Sequence, residues 1–231
     1  MIISPFGPFY MAPGGGPTDP LWSFVVALLQ PGAGASSYTT DETGKAVTLV
    51  GDAALSSTTP FGDIKSFALD GGADFVRLGD SSSWAFGTDL LTIEVMVRPT
   101  ATSTNRQVFF QGPDLSNNIT CYLNTTDFPV FQVTSGGSNL VSITGTTALT
   151  TSSWNYLGIT RRTGNEWAVK VNSGSENTAT ASISVPDFSG NWDWGGIDGV
   201  GNYMTGQMTM MRITRGASRT LISPATSYPV S

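Results

Sequence analysis

Histidine is absent from the 231 residues, and cysteine occurs once. The first absence removes Ser-His-Asp and Cys-His nucleophile activation, and most catalytic zinc sites with it. The second excludes an internal disulfide and any Cys-rich zinc centre. Cys121 lies in the strand-like run Ile119-Thr120-Cys121-Tyr122-Leu123, where it reads as a core or edge residue. Charge is also scarce. Asp, Glu, Lys and Arg make up 12% of the chain, against about 25% in ordinary globular proteins. The balance is acidic, with a formal net charge of −6. No basic run exceeds Arg161-Arg162, so a phosphate-tracking nucleic-acid surface is excluded. Long apolar runs are missing too. The longest covers residues 24–29, far short of the roughly 20 needed to cross a bilayer, so no membrane insertion is expected. Residues 1–10 lack the basic start and apolar stretch of a signal peptide.

What remains for the polar surface is Ser, Thr, Asn and Gly, residues that suit turns and strand exteriors and disfavour helices. Such a surface fits either an exposed particle protein or simply a β-rich one. From residue 21 onward the chain alternates short apolar segments with turns. Val47-Thr48-Leu49-Val50, Phe75-Val76-Arg77-Leu78, Ile93-Glu94-Val95-Met96-Val97, Gln107-Val108-Phe109-Phe110, Val130-Phe131-Gln132-Val133, Trp167-Ala168-Val169-Lys170-Val171 and Ile183-Ser184-Val185 have strand length and strand periodicity. Gly-Asp, Ser-Gly-Gly and Asn-Ser-Gly breaks separate them. Arg162-Thr163-Gly164-Asn165-Glu166 reads as a hairpin loop. The pattern predicts one all-β domain built as a two-sheet sandwich or jelly roll, with no helix beyond two turns.

Five segments resemble, in order, the concanavalin A-like jelly rolls of the laminin-G-like type found in bacteriophage particle proteins. Asp19-Pro20-Leu21-Trp22 is similar to the opening Asp-Pro-aromatic-Trp. Ser66-Phe67-Ala68-Leu69-Asp70-Gly71 resembles the Phe-Asp-Gly strand and turn. Leu91-Thr92-Ile93-Glu94-Val95-Met96-Val97 resembles Phe-Thr-Ile-Glu-x-Trp-Val, with Met96 where an aromatic is usual. Trp154-Asn155-Tyr156-Leu157-Gly158-Ile159-Thr160-Arg161 is similar to Trp-His-x-Val-Ala-Val-Thr-Arg, with Asn155 in place of histidine. Arg212-Ile213-Thr214-Arg215-Gly216-Ala217-Ser218-Arg219 resembles the closing strand and its basic turn. The resemblance spans residues 19–231. It implies a concanavalin A-like sandwich and a non-enzymatic virion protein, assembled in the host cytoplasm and released by lysis, on the head or the tail. Other virion proteins are its implied partners. The alternative is an adhesin for host-surface polysaccharide; a third reading is a glycan-cleaving enzyme. Fold alone does not choose between them.

Residues 1–18 stand apart. Ile2, Ile3, Phe6, Phe9 and Tyr10 alternate with prolines and a Gly14-Gly15-Gly16 run. Proline blocks helix and central strand, so the segment reads as an extended arm. It either docks into a groove of a virion partner through those five apolar residues or packs on its own domain. The arm and exposed edge strands also predict a homo-oligomer.

Candidate chemistry is sparse. Glycoside hydrolysis needs two carboxylates facing across a cleft, and the Glu-x-Asp-x-x-Glu glucanase pattern is missing: Glu94 is followed by Val95, Met96, Val97 and Arg98. Asp70-Gly71-Gly72-Ala73-Asp74 is the best local cluster for calcium, or else a β-turn held by Asp70. No other cofactor is implied. For glycan binding, Trp192 and Trp194 would share one face of a strand, with Asp193 opposite. Asn202 and Tyr203 would complete a loop-end site. The same tryptophans could instead fill the core. Asn118-Ile119-Thr120 and Asn124-Thr125-Thr126 fit the glycosylation pattern without an export signal to use it.

Overall fold

Along Leu91–Pro99, Leu91, Ile93, Val95 and Val97 point to one side, and Thr92, Glu94 and Met96 to the other. That period of two makes a strand with an apolar face, and burying such faces needs two sheets in contact. The computed structural model, which describes residues 18–230, contains fifteen strands. They are β1 (Val25–Leu29), β2 (Val47–Val50), β3 (Ala54–Ser56), β4 (Ser66–Asp70), β5 (Phe75–Leu78), β6 (Leu91–Pro99), β7 (Arg106–Asp114), β8 (Asn117–Leu123), β9 (Pro129–Ser135), β10 (Ser138–Thr144), β11 (Asn155–Arg161), β12 (Glu166–Val171), β13 (Asn177–Thr180), β14 (Trp192–Trp194) and β15 (Thr205–Arg215). Helix among the described residues is limited to three 3-10 turns of three residues each.

The strands form two antiparallel sheets. One is eight-stranded, in the order β13-β12-β11-β6-β15-β4-β3 with β1 also paired to β15. The other is seven-stranded, in the order β10-β9-β8-β7-β14-β5-β2. Their inner faces supply one apolar core that includes Phe67, Ile93, Leu157, Trp167 and Met211 from the first sheet and Phe109, Cys121, Phe131, Trp192 and Trp194 from the second. The all-β two-sheet jelly roll expected from the sequence is present. The expected strand at Ile183-Ser184-Val185 is not. Val185 makes only an isolated bridge to Gly87, and Pro186 behind it has no N–H with which to extend a ladder. The 1–18 arm and its residues Ile2, Ile3, Phe6, Phe9 and Tyr10 lie outside the described residues, Thr18 excepted.

The outer face of the eight-stranded sheet is closed by the chain's own ends. A bulge in β15 places Met210 and Arg212 outward and Met208, Met211 and Ile213 inward. Met210 takes a left-handed φ of 52° there, a strained conformation that the packing around it must hold. Arg212 donates to Glu94 at 2.9 and 2.5 Å and to Asp19 at 3.2 Å. Arg219 donates to both Asp19 oxygens, at 2.9 and 2.8 Å. The Tyr156 hydroxyl donates a hydrogen bond to Glu94 at 2.9 Å. The Arg212 guanidinium lies 3.5 Å from the centre of the Tyr228 ring, a cation–π contact. Gln30 ties down Tyr228 through both backbone groups, at 2.9 Å each. Leu28, Met96, Met210 and Leu221 complete a small second core around this polar clasp. Asn155 accepts from the Thr150 amide at 3.0 Å and donates to the Thr150 and Ser153 carbonyls at 2.9 and 2.7 Å, locking the turn that leads into β11.

Candidate groove on the seven-stranded sheet

On β8, Ile119, Cys121 and Leu123 face the core, so Asn118, Thr120 and Tyr122 face outward. On β9, Phe131 and Val133 face inward, and Gln132 and Thr134 outward. On β14, Trp192 and Trp194 face inward and Asp193 outward. The neighbours β8 and β9 thereby present amides, hydroxyls and one phenol on the outer face of the seven-stranded sheet, and β14, on the far side of β7, adds the Asp193 carboxylate. The 197–201 loop, pinned by a bridge between Ile197 and Gly201, stands over that face.

Two hollows result. The first is lined by Asn105, Gln107, Asn118, Thr120, Tyr122, Gln132, Thr134 and Asn202. The second is lined by Arg77, Pro113, Asp114, Asn191, Asp193 and Asp198. Phe110, Leu115 and Ile197 line both and form the ridge between them. The groove runs from β9 to β5 across four strand intervals of about 4.8 Å, or about 19 Å in all. Leu115, 59% exposed, and Val200, 50% exposed, are apolar tips beside it. Gly112 and Gly190 let the backbones touch at one end: a Cβ on Gly190 would sit 2.5 Å from the Gly112 carbonyl oxygen.

Two polar groups define the electrostatics. Asn118 is 2% exposed. Its amide nitrogen donates to the Asp114 carbonyl at 3.0 Å, and its Oδ1 is buried with no partner. A buried acceptor without a donor carries a desolvation penalty of about 1–3 kcal/mol, which a ligand hydroxyl would relieve. Arg77 forks onto Asp193, with Nε and Nη2 each 2.8 Å from a carboxylate oxygen, and reaches Asp198 at 3.1 Å. These hydrogen bonds hold the Arg77 guanidinium above its ordinary value. Burial pushes the Asp193 carboxyl up, against the pull of Arg77.

The structure sorts the four predicted glycan contacts. Trp192 and Trp194 share one face, as the period of two requires, but that face is the core, and both are fully buried. Trp192 packs against Trp84 at 5.2 Å and Phe109 at 5.3 Å. The reading of the pair as an exposed sugar platform is therefore corrected: no ring face is left for a sugar. Asn202 is exposed and lines the groove, and its carbonyl accepts from the Gln107 amide at 2.6 Å. Tyr203 lies beside the groove, half-buried, with its ring stacked on Phe75 at 6.4 Å. The groove residues that sequence reasoning missed are Asn118, Thr120, Tyr122, Gln132 and Arg77. The alternation of polar and apolar residues along β8 was the available signal.

The predicted calcium cluster gains a third member. Asp52 joins Asp70 and Asp74, and their carboxylate oxygens lie within 4.8 Å of one another. Asp74 already accepts from the Asp52 and Asp70 amides, at 2.9 Å each, and Asp70 from the Gly72 amide at 2.6 Å. These bonds describe a turn locked by its own carboxylates. No helix among the described residues is long and apolar enough to cross a membrane.

Comparison with known proteins agrees with this architecture. Similar solved structures include the binding domain of Paraclostridial Mosquitocidal Protein 1, at a TM-score of 0.67 and 11% identity, covering 87% of this chain and 50% of that one. The binding domain of botulinum neurotoxin DC in complex with SialylT is similar at 0.65 and 12%, again covering 87% and 50%. Domain 4 of AbnA, a GH43 extracellular arabinanase from Geobacillus stearothermophilus, in complex with arabinotriose, is similar at 0.62 and 17%, covering 84% and 95%. The chain thus spans about half the length of the two toxin binding domains and nearly all of the arabinanase domain. At these identities the likeness is one of fold. No curated protein matches the chain by sequence. Residues 70–219 match the laminin-G-type family described as the concanavalin A-like lectin/glucanases superfamily, and the chain belongs to that family.

Proposed function

We propose that the protein is a non-catalytic carbohydrate-binding module that holds a glycan chain in the groove of the seven-stranded sheet. The observation that carries this reading is Asn118: a buried amide oxygen, unpartnered, in a groove lined by other amides, hydroxyls and the Tyr122 ring. Sugar recognition uses this mixture of aromatic faces and directed hydrogen bonds. The similarity in fold to an arabinanase domain in complex with arabinotriose supports the reading. The carboxylates along the groove are engaged within the fold: Asp193 and Asp198 accept from Arg77, and Asp114 from the Ser116 amide. Both Asp193 oxygens accept from Arg77, a fork that favours the ionised carboxylate over the protonated form a general acid needs. Glu94 lies buried on the opposite sheet.

Affinity electrophoresis against a panel of polysaccharides tests the proposal. At least one polymer should retard the protein, with no reducing ends released. Asn118→Ala and Tyr122→Ala should each weaken that binding at least tenfold while leaving the melting temperature within a few degrees. Binding indifferent to both substitutions would refute the groove assignment.

Display on a phage particle is a second, compatible reading. It is favoured by the closing-strand resemblance and by the apolar residues Ile2, Ile3, Phe6, Phe9 and Tyr10 of the 1–18 segment. Deleting residues 1–18 should abolish incorporation into particles; unchanged incorporation would remove the anchoring role.

A further inference from the structure

We infer that the groove selects uncharged glycan chains and turns away carboxylated or sulfated ones. This rests on the glycan-binding reading above and adds the ligand's charge to it. Four side chains that carry charge at neutral pH line the two hollows: Arg77, Asp114, Asp193 and Asp198. One cation against three carboxylates leaves the groove net negative.

The cation is also engaged. Arg77 is held by both Asp193 oxygens and by Asp198, and its guanidinium sits 4.9 Å from the Phe75 ring centre. A planar guanidinium fork is the group that clamps a carboxylate or sulfate, and this one already has its carboxylates. Asp198 on the 197–201 loop and Asp114 at the end of β7 are both exposed along the second hollow. An anionic sugar beside them meets like charge within a Debye length.

The first hollow gives an independent argument. Its lining residue Asn118 has a buried Oδ1 that is an acceptor and needs a donor. A sugar hydroxyl can donate; an ionised carboxylate or sulfate can only accept. The remaining polar groups, Thr120, Gln132 and Asn202 among them, are neutral and serve hydroxyls in either direction.

The test uses the full chain in affinity electrophoresis at physiological ionic strength. Arabinan, galactan, mannan and dextran are the neutral polymers; pectate, heparin and polysialic acid are the charged ones. At least one neutral polymer should retard the protein, and no charged polymer should. The best neutral polymer is then substituted lightly with carboxymethyl groups, or to the same extent with uncharged hydroxyethyl groups. Carboxymethylation should weaken binding at least tenfold more than hydroxyethylation. Combining Asp114→Asn with Asp198→Asn should recover most of that difference. Equal binding of the two substituted polymers, or Asn118-dependent binding to a charged polymer tighter than to any neutral one, overturns charge selection and leaves the groove assignment standing. No binding to any polymer, or binding that ignores Asn118→Ala, overturns the groove assignment and this inference with it.

Discussion

Arg212→Met is the substitution that most sharply tests how the fold is held. The side chain is replaced by one of comparable length, so the main change is loss of the guanidinium. Arg212, Glu94 and Asp19 side chains are 7%, 3% and 3% exposed. Burial works against the Arg212 charge, but Glu94 and Asp19 together hold its guanidinium above the ordinary value. Glu94 loses both of its charged hydrogen bonds and keeps only the Tyr156 hydroxyl. Asp19 loses one and keeps the Arg219 fork and the Leu21 amide. Most of the damage therefore falls on Glu94. Removing one partner of a buried ion pair costs about 3–5 kcal/mol. With a urea dependence near about 3 kcal/mol per molar for a chain of this size, a loss of about 4 kcal/mol lowers the unfolding midpoint by about 1.3 M. Tryptophan fluorescence reports the transition. Glu94→Leu in the Arg212→Met background should recover about half of the loss or more, because the stranded carboxylate is then gone. A loss below about 1 kcal/mol, or a double variant no better than the single one, would refute the account of the clasp.

Two further outcomes are expected. Burial pushes the Asp19 carboxyl up, but the Arg219 hydrogen bonds, the Leu21 amide and the nearby Arg212 charge outweigh it, and its titration point lies below the ordinary 3.8. Asp19 therefore contributes stability that is present above 3.8 and lost as pH falls through the lower folded value. Asp19→Asn should be less stable than the wild type at neutral pH, and the gap should close under acid; a gap that persists unchanged at about pH 2 refutes this linkage. Trp192→Ala should cost about 3–5 kcal/mol through the cavity it leaves. Trp192→Phe should cost much less, since the indole N–H has no partner to lose; equal losses in thermal denaturation would contradict that reading.

The fold was legible because its signals are local. Period-two runs such as Leu91 to Val97 dictate strands whatever surrounds them. Four of the five motif segments then meet in one place: Asp19, Glu94, Tyr156, Arg212 and Arg219 are all members of the clasp, and Asn155 locks the neighbouring turn. Their chemistry closes a sheet, which explains why they announce architecture and say little of ligands. The groove was harder to read. Periodicity placed Trp192 and Trp194 on one face, but which face is inside depends on the partner strands β7 and β5, whose paired residues lie up to 118 positions away. Asn118 looked like half of an unused glycosylation pattern. Its significance comes from its place in a groove that also takes Gln132, Ile197 and Asn202, residues that no one window of sequence contains.

The clasp also fixes how the molecule is presented. Asp19 meets Arg219, and Gln30 meets Tyr228, so the two ends of the described chain leave from the same side of the sandwich. The groove opens on the other side, across a core about 10 Å thick. The face that carries the groove is therefore left clear of both ends of the described chain. The ion pairs that tie those ends together all lie on the eight-stranded sheet's side of the core, and the strands that line the groove take no part in them.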